Sequence, residues 1–194
     1  MQQIAVFVSG TGSNARVLID YLARSPVGRV RLLISNRADA PALRMAAERG
    51  VETLVLDRHE FYETENLLQE LRRRRIEFIA LAGFLWLVPP YLVRAYAGRM
   101  VNIHPALLPK YGGKGMYGSR VHRAVRAAGE DESGITIHWV TEEYDEGNII
   151  LQARTPLAAG DTAEQIGARV LELEHRHYAP VVEQLLQKNI RSKF

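Results

Sequence analysis

Three short stretches of this chain carry residues whose types and spacing suit chemistry. The first is Ser9-Gly10-Thr11-Gly12-Ser13-Asn14-Ala15, directly after the apolar run Ile4–Val8. Glycines let a backbone come close to a ligand, and a helix start offers free N–H groups to an anion. Gly10, Thr11, Gly12, Ser13 and Asn14 therefore read either as a phosphate cradle or as a tight turn in which Ser13 or Asn14 caps a helix. The strand–loop–helix context favours the cradle. The stretch also fits the dinucleotide pattern G-x-G-x-x-A. Arg37, near the end of the second strand, could serve a 2′-phosphate, which keeps an NADP enzyme open.

The second stretch is Asn102-Ile103-His104, ending a strand. Side chains alternate along a strand, so Asn102 and His104 share a face. An amide donor beside an imidazole suits oxyanion stabilisation and proton transfer. The same pair could equally satisfy backbone groups of the following loop, Pro105–Lys110. The third stretch is the acidic turn Tyr144-Asp145-Glu146-Gly147. A carboxylate beside His104 would hold the imidazolium and raise its pKa, and it could order a water for proton relay. Glu142, Glu143 and Glu146 read as solvated turn residues, and spacing alone does not bring Asp145 to His104. His122 could line a crevice, and His138 reads as core. His175 and His177, two apart on a helix, diverge rather than chelate. No HExxH, Gly-x-Ser-x-Gly, Walker or EF-hand pattern occurs.

The elements that must position these stretches alternate. Strands are expected at Ile4–Ser9, Val30–Asn36, Glu52–Asp57, Phe78–Ala82 and Met100–His104, and helices at Asn14–Arg24, Ala42–Arg49, Glu63–Arg74 and Tyr91–Tyr96. This rhythm, with nearly continuous apolar strands, predicts a single-domain α/β fold: an open, twisted, mostly parallel sheet with helices on both faces. Pro105–Gly118, with two prolines and four glycines, is a long loop and a functional candidate. A helix at Arg120–Ala128 follows. Gly134–Val140 and Asn148–Thr155 then read as an antiparallel pair, and Thr162–Lys188 as a long amphipathic helix with a possible break at Pro180. The domain spans 1–188, with a short basic tail at 189–194. In such sheets ligands bind beyond the carboxyl ends of the strands.

The chain has 194 residues, of which 47% are hydrophobic and 24% charged, an ordinary composition for one globular domain. With no cysteine, disulfide scaffolds, zinc ribbons, iron–sulfur centres and cysteine nucleophiles are excluded. A net charge of +3 asks for no nucleic acid. The longest apolar run, Phe78–Val88, reaches about half a bilayer span and meets Pro89-Pro90, so no membrane partner is expected. Without a basic leader before Ile4, the reading is a cytoplasmic protein.

Taken together, the motifs resemble the phosphoribosylglycinamide formyltransferase family. The resemblance runs from about Ile4 to Gln187. It rests on Val8–Asn14, Ile34–Ala40, Leu81–Phe84, Val101–Tyr111, Gly134–Val140, Asp145–Gly147 and Glu174-His175, in order. It implies that the glycine loop and Glu174 hold a ribotide, and that Asn102, His104 and Asp145 form a catalytic trio. It further implies that Leu85, Trp86, Leu87 and Val88 face a folate across Asn102, Thr141, Glu142, Glu143, Tyr144 and Asp145. The implied cosubstrate is 10-formyltetrahydrofolate, the implied partners are small molecules, no metal is expected, and the protein would be a monomer or homodimer. Departures from the family pattern lie in the long loop Gly112–Gly118, in Tyr144, and in the shorter segment Asp57–Glu65, where the resemblance sets Arg58 at the place of an arginine near the folate tail. Lys114 and Arg120 could assist an anion or be solvated loop charges. Sister enzymes with the same trio, methionyl-tRNA formyltransferase and formyltetrahydrofolate hydrolase, carry an extra domain and are ranked lower. Below them stand an NADP-dependent reductase and a non-catalytic nucleotide-binding module.

Overall fold

The computed structural model describes residues 1–191. Its sheet has seven strands in the order β3-β2-β1-β4-β5-β6-β7. Strands β1 (Gln2–Val8), β2 (Gly28–Ser35), β3 (Glu52–Val55), β4 (Ile76–Leu81) and β5 (Met100–His104) run parallel. Strands β6 (Glu132–Trp139) and β7 (Ile149–Pro156) continue the sheet antiparallel. The predicted mixed α/β sheet is thus observed, and the antiparallel part includes the β5–β6 contact.

The continuous apolar run of β1 follows from its central position. Ile4, Val6 and Val8 point to one face, where α1 (Ser13–Leu22), α2 (Pro41–Ala47), α6 (Ser119–Ala127) and α7 (Ala163–Arg191) cover them. Ala5 and Phe7 point to the other, under α3 (Arg58–Glu63), α4 (Asn66–Arg73) and α5 (Pro90–Ala95). Both faces are dry, so alternation with polar residues is absent.

Two local expectations change. One helix was expected at Glu63–Arg74; the chain forms two. The Asp57 carboxylate accepts from the Glu60 N–H at 2.9 Å and starts a helix early. Thr64 then turns extended, at φ −135° and ψ 167°, and ends it. At Pro180 the helix α7 does not break. Proline removes one donor to the preceding turn, but Tyr178, Ala179, Val181 and Val182 around it are all buried, and their packing holds the helix together. This helix runs on through Arg191, where Asn189 Nδ2 donates to Gln2 Oε1 at 2.7 Å; of the basic tail, 192–194 lie outside the described residues.

Tyr178 also ties α7 to the site. Its buried hydroxyl donates to the Leu81 carbonyl, at the carboxyl end of β4, at 2.7 Å. Tyr178→Phe is expected to cost about 1–2 kcal/mol, because a buried carbonyl loses a donor that water does not replace. A urea midpoint equal to wild type would remove that bond from the stability account. The strand order reverses about β1, which opens a crevice above the carboxyl ends of β1, β4 and β5.

Candidate active site

A cavity of about 520 Å³ fills that crevice. The glycine loop after β1, the segment after β4, the end of β5, the loop before α6, the β6–β7 turn and one stripe of α7 all line it.

At its centre Asn102, His104 and Asp145 meet. The His104 ring is buried. Its Nε2 lies 2.8 Å from the Tyr111 carbonyl, which can only accept, so Nε2 carries a proton. Its Nδ1 faces Asp145 Oδ2 at 3.4 Å. Asn102 Nδ2 lies 3.4 Å from Asp145 Oδ1 and 3.2 Å from His138 Nε2. His138 Nδ1 sits 2.9 Å from the Trp139 carbonyl, and its Nε2 lies 3.5 Å from Asp145 Oδ1 as well as beside Asn102.

The electrostatics correct one expectation. Asp145 does push the His104 imidazole toward its charged form, but burial pushes harder the other way, and the pKa sits below the usual histidine value. For Asp145 burial acts upward, yet His138, His104 and the Gly113 N–H together outweigh it, and the carboxyl sits below its usual range. The pair thus rests as a firm carboxylate beside an imidazole that gives up its second proton readily.

Sequence spacing left Asp145 unplaced, and the structure shows what brings it in. The residue adopts φ +58°. The Gly113 N–H donates to its Oδ2 at 2.9 Å. A Cβ at Gly112 would stand 2.5 Å from Leu108 and 3.3 Å from the Asp145 Cβ, so glycine is needed there for close approach. The start of the glycine-rich loop is therefore the seat of Asp145. His138, expected in the core, is buried but faces the trio; its antiparallel pairing with Asn102 puts it there. The sequence signal available was the Ile135–Trp139 alternation, which sets His138 on the strand face opposite Ile137. Tyr111, Gly112 and Gly113 are further residues that motif reading missed, because two of them act through the backbone.

The glycine loop opens α1 as expected. Gly12 is its N-cap, at φ +73°, and no side chain caps the helix. Neither Ser13 nor Asn14 is spent on capping, and the first-turn N–H groups lack intrahelical partners. Asn14 Nδ2 donates instead to Glu174 Oε2 at 2.9 Å. Glu174 is buried rather than an exposed helical glutamate. Burial pushes its carboxyl up to about 7, against the opposing Asn14 bond. A Cβ on Gly12 would stand 2.6 Å from the Ala42 Cβ in a left-handed backbone. Gly12→Val is expected to lose about 1–3 kcal/mol of stability and to weaken binding of a phosphate monoester. Unaltered phosphate-ester affinity by calorimetry would sink the cradle assignment.

Across the cavity, Leu85, Trp86, Leu87 and Val88 and the turn residues Thr141, Glu143, Tyr144 and Asp145 form an apolar slot edged by backbone. The Ser9 hydroxyl anchors it by accepting from the Leu85 N–H at 2.9 Å. Glu142 is not in the slot; it pairs with Arg94 at 2.8 Å, facing solvent. Arg58 lies over the Tyr62 and Trp86 rings, 5.3 and 5.2 Å from their centroids, behind the slot. Arg37 is held by Asp39 at 2.8 Å and does not line the cavity, which removes the support for a 2′-phosphate site. Lys114, Arg120, His175 and His177 also stay outside the lining, and Arg120 stacks on Tyr117 instead.

An open α/β sheet whose crevice joins a glycine loop at a helix start, an apolar wall and an Asn–His–Asp set has the make-up of an enzyme site for small molecules. Comparison with known proteins makes the class particular. The formyl transferase family model matches residues 2–182, and the chain belongs to this family. The phosphoribosylglycinamide formyltransferase of Escherichia coli K12 is 40% identical over 185 residues, covering 92% of this chain and 84% of that one. The chloroplastic phosphoribosylglycinamide formyltransferase of Vigna unguiculata is 41% identical, and this chain spans 62% of its length. The crystal structure of phosphoribosylglycinamide formyltransferase from Streptococcus pneumoniae TIGR4 superposes with a TM-score of 0.83 at 37% identity, covering 95% of this chain and 99% of that one. No described helix is long and apolar enough to cross a membrane.

Proposed function

We propose that the protein transfers the formyl group of 10-formyltetrahydrofolate to the glycine amine of glycinamide ribonucleotide, as a cytoplasmic enzyme of purine synthesis acting on small molecules. The observation that carries this reading is the meeting of Asn102, His104 and Asp145 between the phosphate cradle and the apolar slot. The ribotide phosphate rests on the N–H groups of Gly10–Asn14, and Glu174 accepts from the ribose hydroxyls. The pterin fills the slot between Leu85–Val88 and Thr141–Asp145. The amine then attacks the formyl carbon, and Asn102 Nδ2 donates to the oxyanion as it forms. The tetrahedral intermediate collapses as Asp145 and His104 pass a proton from the attacking nitrogen to the departing folate nitrogen. Holding the two reactants in register supplies most of the acceleration, since the donor already carries an activated formyl group.

The test is deformylation of 10-formyltetrahydrofolate with and without the ribotide. Turnover that requires the ribotide and yields formylated ribotide is the expected result. Turnover without it would make the protein a hydrolase, and no turnover would overturn the reading.

A further inference from the structure

Proton balance in the proposed transfer leaves one group without an acceptor. The amine enters near neutral pH largely as an ammonium ion, since an α-amino group has a pKa of about 8. The amide nitrogen of the product carries a single hydrogen, so two protons must leave. One travels to the folate nitrogen through Asp145 and His104. The other has to go before attack, because an ammonium ion has no lone pair.

The trio is poorly placed to take that first proton. His104 is engaged at Nε2 by the Tyr111 carbonyl and at Nδ1 by Asp145. Asp145 already accepts from the Gly113 N–H and lies against two histidines, which makes it a weak base. His138 is bonded through both ring nitrogens. The remaining imidazole of the cavity lining is His122, on α6. Neither of its ring nitrogens has a hydrogen-bond partner among the described residues, although Nδ1 is buried. An imidazole left unbonded in a site is an open acceptor.

The fold makes room for this ring. Gly167 sits inside α7, where glycine costs about 0.5–1 kcal/mol relative to alanine. A Cβ there would stand 2.9 Å from His122 Cδ2 and 3.3 Å from Nε2. Glycine at 167 thus lets α7 pack against the imidazole while the ring keeps its place on the cavity wall. Burial above all, and repulsion from His104 on β5 whenever that ring is charged, disfavour the charged form of His122. Other ionisable groups that line the cavity with it are Glu164 and Glu174 on α7, Tyr117 on the preceding loop and Asp145 on the β6–β7 turn. Arg126 and Arg123 act on Glu164, and Arg120 stacks on Tyr117.

We infer that His122 is the base that deprotonates the incoming ammonium group of the acceptor, a residue of the reaction separate from the trio. One N–H bond of the ammonium breaks and its electron pair stays on nitrogen for attack, while a new N–H bond forms on the imidazole. The C–N bond to folate later breaks with its pair going to the folate nitrogen, which takes the second proton. The His122 imidazolium then returns its proton to solvent. This inference rests on the proposed formyl transfer to an amine.

The test is the pH dependence of kcat/KM for the ribotide in the full chain, wild type against His122→Gln, with calorimetric ribotide affinity as the check on folding. At pH 7 a deficit of up to about tenfold is expected, because with a pKa of about 8 roughly one acceptor molecule in eleven is already neutral. At pH 9.5 the substrate arrives already neutral, and the deficit should shrink to about threefold or less. Gly167→Ala displaces the ring without deleting it and should show the same narrowing, which decides the matter if His122→Gln proves unstable. A deficit equal at both pH values, or none at pH 7, overturns the inference. Wild type run alongside separates this from failure of the proposed reaction, which would show as no ribotide-dependent turnover at any pH.

Discussion

Asp145→Asn is expected to lower kcat by about 10²–10³-fold while leaving ribotide affinity within about twofold. The substitution is nearly isosteric, and an amide oxygen still accepts from the Gly113 N–H that now lies 2.9 Å from Oδ2. What it removes is charge and proton capacity. The carboxylate is the group whose charge raises the pKa of His104 against burial. Without it the imidazole pKa falls further below its usual value, so the proton-donating form is confined to more acidic solution. The alkaline limb of the kcat profile should therefore move to lower pH, in addition to the loss of relay. His104→Ala removes the donor altogether and should cost about 10²–10⁴-fold, with no alkaline limb of that origin left. Full turnover in either variant, or an Asp145→Asn profile unmoved in pH, would remove that residue from the chemistry.

Both substitutions concern residues that the sequence exposes unequally. Asn102 and His104 share a strand, and period-two alternation is enough to put them on one face at a carboxyl end. The glycine loop is legible because its strand, turn and helix are contiguous. Asp145 is different: its approach to His104 depends on a left-handed backbone, on Gly112 and Gly113 packing beneath it, and on the β5–β6 register. These are long-range facts, and only the family resemblance links Asp145 to His104 beforehand. Burial is hidden for the same reason. Glu174 on a long amphipathic helix reads as a surface residue until α1 is packed against α7 and Asn14 meets it. The early start of α3 was present in the sequence, as Asp57 three residues before Glu60.

Glu174 carries the second large effect, and it splits stability from binding. Burial lifts its carboxyl to about 7, well above an unfolded glutamate near 4.3. Between those values the folded protein keeps a proton that the unfolded chain has released. Folding is then opposed increasingly as pH rises through that window, by up to about 3 kcal/mol at pH 8. Glutamine cannot ionise, so Glu174→Gln should be more stable than wild type by about 2–3 kcal/mol at pH 8, with the gain fading toward pH 4. Urea midpoints at the two pH values measure it. Ribotide affinity should move the other way, falling by about 10-fold or more. Ribose hydroxyls donate more strongly to a carboxylate than to an amide. Because only the ionised form makes that stronger bond, wild-type affinity should also rise with pH as Glu174 titrates, and the rise should be absent from the glutamine variant. A variant that is no more stable at pH 8 would mean that the buried carboxyl finds enough compensation in the empty site. One that is stable yet binds the ribotide as wild type does would take Glu174 out of the binding site. If both effects hold, the chain keeps an ionisable residue where folding alone would favour a neutral one, and the strain it carries is relieved when the ribotide hydroxyls arrive.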